Sequence, residues 1–149
     1  MRFLAWWFRI VGVLNVALGV MWLPLLNDLR LDVSAPGWDA PIGGPAHRAF
    51  LDYMMLFGLD LIILGAFLIA ASFRPRQSRI LAWLTIALSG VRGILDDVYM
   101  IFAGYPMGGM LAFIALHAAI IVTGLLALRS ASRAVSAPAS SAADPALTA

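Results

Sequence analysis

The sequence predicts an all-α fold: an integral membrane four-helix bundle with short loops and both termini on the cytoplasmic side. Three observations carry that expectation. The chain has 149 residues, 62% of them hydrophobic and 12% charged, where a soluble domain carries about 25% charged residues. A soluble fold of this size could not hide so much apolar surface from water. Four segments reach the ~20 mostly apolar residues that a bilayer crossing needs, and the basic residues gather on one side of them. The same composition excludes a disordered polar chain and a nucleic-acid binder built on a basic face. Every basic residue is Arg, every acidic residue is Asp, and Cys is absent. Disulfides, thiolate metal sites and iron–sulfur clusters are thereby excluded.

The first helix is expected over about residues 4–26, charge-free from Ile10 to Leu26. Arg2 and Arg9 precede this apolar run as in a secretory signal, but the run is long and no A-x-A cleavage site follows, so an uncleaved helix is expected. Residues 27–48 hold Asp28, Arg30, Asp32 and Asp39 among Pro36, Gly37, Pro41, Gly43, Gly44 and Pro45, the chemistry of a polar loop. The second helix follows over about 49–73, then the tight basic turn Arg74-Pro75-Arg76-Gln77-Ser78-Arg79. The third helix covers about 80–104, and Gly104-Tyr105-Pro106 turns it into an antiparallel hairpin with the fourth, about 107–128. One domain thus covers 1–129, and the Ala/Ser/Pro-rich segment 130–149 is expected to be a disordered tail.

Orientation follows from charge. Arg2, Arg9, Arg74, Arg76, Arg79, Arg129 and Arg133 fall on one side, while Arg30 and Arg48 lie in the Asp-rich loop on the other. The positive-inside rule makes the first side cytoplasmic. Trp6, Trp7, Trp22, Trp38 and Trp83 fall near the interfaces, as an aromatic belt would.

The remaining polar residues lie inside the spans. A charge at the bilayer centre costs roughly 2.5–3.5 kcal/mol on insertion scales, so each needs a reason. Asn15, Asp60, Arg92 and His117 fall near the middle of successive helices, one per helix. Asp60 and Arg92 form the natural ion pair between the second and third helices, each charge being expensive alone. On the third helix Ser89, Arg92, Asp96 and Tyr99 share a face, and Arg92–Asp96 is an i,i+4 pair. Asp97 points about 100° away, towards Gly90, Gly93 and Gly104, small residues that let another helix approach. Asp52 reaches the outer height of Asp96 and Asp97, which suggests a polar pocket opening outwards with Tyr53, Tyr99 and Tyr105 at its rim. Asn15, Asp52, Asp60, Arg92, Asp96, Asp97, Tyr99 and His117 are therefore the candidate binding residues.

Two readings stand side by side for the charged members: a ligand site, or buried pairs that fix helix register. For Asn15 the expectation is interhelical glue, and for His117 a hydrogen-bonded core residue. His47 belongs to the outer loop and His117 to mid-depth, so bis-His haem and zinc lack a second ligand. No metal, cofactor or catalytic residue is expected, and phosphate-binding, zinc-protease and nucleophile-elbow motifs are missing.

The segment Val91-Arg92-Gly93-Ile94-Leu95-Asp96-Asp97-Val98-Tyr99-Met100, closing in Gly104-Tyr105-Pro106, resembles the third-helix signature of the BphX-like family. The opening Arg9-Ile10-Val11-Gly12-Val13-Leu14-Asn15-Val16-Ala17-Leu18-Gly19-Val20 is similar to that family's start. The resemblance covers about residues 4–129 and implies a small four-span protein of the bacterial inner membrane, some relatives being encoded beside enzymes of aromatic-compound degradation. DoxX-like families share the layout. Neither resemblance carries catalytic residues. Three functions remain open: a small-solute or proton-coupled binding or transport component, a structural or accessory subunit, and a quinone-linked redox subunit. Partners expected are the lipid bilayer, further copies or other membrane subunits, and a small-molecule ligand, but no nucleic acid.

Overall fold

A computed structural model describes residues 1–136. Helices α1 (Arg2–Met21), α2 (Pro24–Asp28), α3 (Leu31–Ser34) and α4 (Pro45–Ala71) are followed by α5 (Arg79–Leu88). Helix α5 passes directly into a π-helical segment (Ser89–Leu95) and then α6 (Asp96–Phe102), forming one continuous rod, and α7 (Met107–Ser136) completes the chain. Among the described residues there is no strand. Helices α1, α4 and α7 are each long and apolar enough to cross a membrane. The rod of residues 79–102 is a fourth helical path, interrupted in its hydrogen-bond register by the π-helical segment.

Sequence chemistry explains the ends. The first helix stops at Met21 rather than near residue 26, because Leu23 precedes Pro24 and is extended at φ −65°, ψ 147°. A residue before proline is pushed out of the helical region, and Pro24, lacking an N–H, starts the short helix α2 instead. Helix α4 likewise begins on a proline, Pro45. Gly104, at φ +89°, makes the left-handed turn between the rod and α7. At the other end α7 continues to Ser136, past Leu128 and into the segment expected to be a tail. The remainder of that segment, 137–149, lies outside the described residues.

Packing is uneven in both directions. Helix α4 packs along α1, while the rod packs along α7, and α1 joins the two pairs by also contacting α7. The α1–α4 contact is backbone to backbone. A Cβ on Gly65 would stand 2.6 Å from the Gly12 carbonyl oxygen, and one on Gly58 2.7 Å from that of Gly19. Two glycines seven residues apart on each antiparallel helix therefore set the spacing, as small residues do at membrane helix contacts. The apolar core lies towards the arginine-bearing end: Leu4, Trp7, Phe8 and Val11 meet Leu68, Ala71, Ala82, Ala127, Leu128 and Ala131. Arg9 donates to Ser72 Oγ at 3.2 Å and lies over the Trp6 and Phe73 rings, and Arg79 donates to Ser132 Oγ. Trp7 belongs to this core and not to an interfacial belt: it is buried, and its indole N–H reaches Thr123 Oγ1 at 3.1 Å, tying α1 to α7.

Candidate functional site

Away from that core the polar residues fall into separate stations. The first lies between α4 and the rod. These two helices meet in sequence through the turn at 72–78, yet they do not pack along their lengths. Between them runs a cleft of about 350 Å³ lined by Asp60, Leu61, Leu64, Phe67, Leu84, Leu88 and Arg92, among others. Arg92 Nη2 stands 3.9 Å from Asp60 Oδ2, and its guanidinium carbon lies 4.8 Å from the centre of the Phe57 ring. Both charges remain open, with 43% of the Arg92 side chain and 66% of the Asp60 side chain exposed. The pair is thus long, incompletely desolvated and backed by an aromatic face. Arg92 pairs across to α4 and not with Asp96 four residues on, since its guanidinium is drawn over Phe57 towards Asp60.

A second station lies between the rod and α7. Asp97 is half-buried, and its Oδ2 is shielded from solvent without a hydrogen bond. It stands 3.9 Å from His117 Nδ1. That nitrogen also lies 2.9 Å from the Phe113 carbonyl oxygen. A carbonyl only accepts, so Nδ1 carries the hydrogen and donates it there. The imidazole is seated on Gly93, whose place a Cβ could not share with the ring. Gly93 is therefore the small residue that admits α7. Of the other two glycines expected to do so, Gly90 has open space around it and Gly104 makes a turn.

Asn15 is buried but donates to the Val11 carbonyl of its own helix at 2.8 Å, so it does not act as interhelical glue. Asp52, Asp96 and Tyr99 are exposed on their helices. The single outward pocket expected from the sequence is replaced by two stations on different faces of the rod, with Asp60 and Arg92 on one and Asp97 and His117 on the other.

The loop end carries a third polar assembly that the sequence did not single out. His47 is buried, accepts the Gly43 N–H at Nδ1 (3.1 Å) and turns Nε2 to Asp28 Oδ1 at 2.9 Å. Trp38 packs on both His47 and Phe50, and Arg30 donates to the Met21 carbonyl at 2.6 Å. Asn27 is fully buried beside it, its side-chain amide without a hydrogen-bond partner. These contacts fold 22–47 into a cap over the ends of α1 and α4. Phe57 beneath Arg92 and Gly93 beneath His117 were also missed as site residues. The first signal was an aromatic residue three before Asp60, the second a glycine directly after Arg92.

Among the described residues no group of three or more His, Asp or Glu side chains could hold a metal ion. A family model described as BphX-like matches residues 1–133. No curated protein and no solved structure matches the chain.

Proposed function

The chain belongs to the BphX-like family, and from that premise we propose that it is a four-span protein of the bacterial inner membrane that binds a small amphiphilic solute between α4 and the rod of residues 79–102. Three spans are the long apolar helices, and the fourth is the rod, whose 24 positions rise by about 1.5 Å each in α-helical geometry. That length suits a bilayer core of about 30 Å. Both termini lie on the cytoplasmic side in this reading, because the end carrying Arg2, Arg9, Arg74, Arg76, Arg79, Arg129 and Arg133 is the positive one.

The observation that carries the binding role is the half-open Arg92 guanidinium at one edge of an otherwise apolar cleft. Ligand sites combine apolar walls with a few placed polar groups and have volumes of about 300–1,000 Å³. Here Leu61, Leu64, Phe67, Leu84 and Leu88 supply the walls for an apolar body. Arg92 supplies donors for an acceptor-bearing head, with Asp60 as the counter-ion it exchanges. An intramembrane charge pair left this open has work beyond fixing register, since register is better served by a closed pair. The same exposure favours one other reading, an accessory subunit in which a second membrane protein covers Asp60 and Arg92.

The test is calorimetric titration of three eight-carbon probes into the protein in nanodiscs: octanesulfonate, octanol and octyltrimethylammonium. Octanesulfonate is expected to bind best. Arg92→Ala weakens it by about tenfold to a hundredfold, matching the roughly 1.5–3 kcal/mol of a hydrogen bond to a charged group. Equal weak uptake of all three probes, unchanged in Arg92→Ala, is bilayer partitioning and removes the binding role.

A further inference from the structure

We propose that the seam between α1 and α4 at the arginine-rich end binds the phosphate headgroup of an anionic phospholipid, with Arg9 as the clamp; this requires the chain to lie in a bilayer and does not depend on the α4–rod cleft. Two segments build the site. On α1, Arg2, Trp6 and Arg9 fall at i, i+4 and i+7 and share one exposed face. At the end of α4, Ser72 is buried, while Phe73 and Arg74 beside it are exposed.

Arg9 is held in place without being neutralised. Its Nε donates to Ser72 Oγ at 3.2 Å, and its guanidinium carbon stands 5.2 Å from the centre of the Trp6 ring and 5.7 Å from that of Phe73. A hydroxyl and two aromatic faces orient a cation but bring no counter-ion. Among the described residues the Arg9 Nη nitrogens have no acceptor. The donors left over belong to a planar fork that matches phosphate oxygens bidentately. Trp6, 58% exposed, and Phe73, 73% exposed, flank it with the aromatic chemistry of a membrane–water interface. Val13, one turn further along the same face, is also exposed and continues that face as apolar surface, suited to an acyl chain.

The charge balance points the same way. The arginines at this end, from Arg2 to Arg133, have no carboxylate partner among the described residues, whose ion pairs are His47–Asp28, Arg92–Asp60 and His117–Asp97. The nearest aspartate along α4, Asp60, precedes Ser72 by about 18 Å of helix. Asp144 lies outside the described residues. A headgroup with net negative charge complements such an end, and a zwitterionic one does not.

The experiment reconstitutes the full chain in vesicles that mix phosphatidylglycerol and phosphatidylcholine of matched acyl chains, with bromine on one lipid and then on the other. Tryptophan quenching gives the relative association of the two headgroups, and the part lost in Trp6→Phe belongs to this site. The wild type is expected to prefer phosphatidylglycerol by about tenfold, the lower range for hydrogen bonds to a charged group. Arg9→Gln should remove most of that preference. Ser72→Ala, which releases the guanidinium without changing the charge, should reduce it too. Arg129→Gln removes the same charge from the same end and should leave most of it. No headgroup preference in the wild type overturns the site. Equal loss in Arg9→Gln and Arg129→Gln, with Ser72→Ala unchanged, is diffuse attraction to the arginine-rich end and overturns it as well. Inorganic phosphate, compared with chloride at equal ionic strength, separates the two sources of the anion. Unchanged quenching is the expected result, and displacement of the lipid would assign the clamp to a soluble anion instead.

Discussion

Single residues in this protein are governed by where their hydrogen bonds end. Asn15 and Trp7 are both buried polar side chains on α1, yet they differ in what they join. The Asn15 amide returns to Val11 of its own helix, whereas the Trp7 indole N–H crosses to Thr123 on α7. Trp7→Phe therefore loses a bond of about 1 kcal/mol between helices, together with core packing. Asn15→Ala loses a bond that holds nothing together and should cost less. Equilibrium unfolding in mixed micelles ranks the two, and a larger loss for Asn15→Ala would restore it as interhelical glue. At this scale the sequence was informative about identity and poor on direction. It marked Asp60, Arg92, Asp97 and His117 by the cost of charge in lipid. Uniform helical spacing paired Arg92 with Asp60 and turned Asp97 towards the Gly93 side, but it could not name α7 as the helix that meets Gly93 or bring His117 to Asp97.

At the scale of elements, glycine spacing decides which helices become neighbours. Gly12 and Gly19 meet Gly65 and Gly58 in pairs, and this close contact takes α4 to α1 and away from the rod that follows it in sequence. The seven-residue spacing stood in both segments, and consecutive helices were nonetheless expected to pack because a short turn joins them. Local chain connection lost to backbone fit. Gly58→Val places a branched side chain against the Gly19 carbonyl and should cost about 1–3 kcal/mol, the usual range for overpacking. Gly108→Val is the comparison, since a Cβ there meets nothing within 4 Å. Equal loss in the two variants, measured by the same unfolding assay, would mean that the glycines are not the contact. Helix ends were legible to within a few residues except where Pro24 cut the first helix short and where α7 ran on to Ser136.

Across the whole molecule the core and the polar stations are separated along the bundle. Leu4, Phe8, Leu68, Ala82 and Ala131 close the end that carries most of the arginines, where Arg9 and Arg79 cross-brace neighbouring helices through serine hydroxyls. Beyond it α4 stays on α1 and the rod stays on α7, so Arg92 and Asp60 face the gap between the two pairs while Asp97 and His117 lie in the contact between the rod and α7. In the proposed reading, a closed end gives rigidity to helices whose other halves leave room for a solute. The proposed place for that solute is the cleft between α4 and the rod. The absence of cysteine allows a direct measurement with single-cysteine variants. Leu84→Cys lies in the cleft and Val122→Cys on the exposed face of α7. Their alkylation rates by a lipid-soluble maleimide are compared with and without octanesulfonate. Slower labelling is expected of Leu84→Cys alone, with no slowing once Arg92→Ala is added. Equal slowing at both positions, or none at Leu84→Cys, would contradict a solute site there.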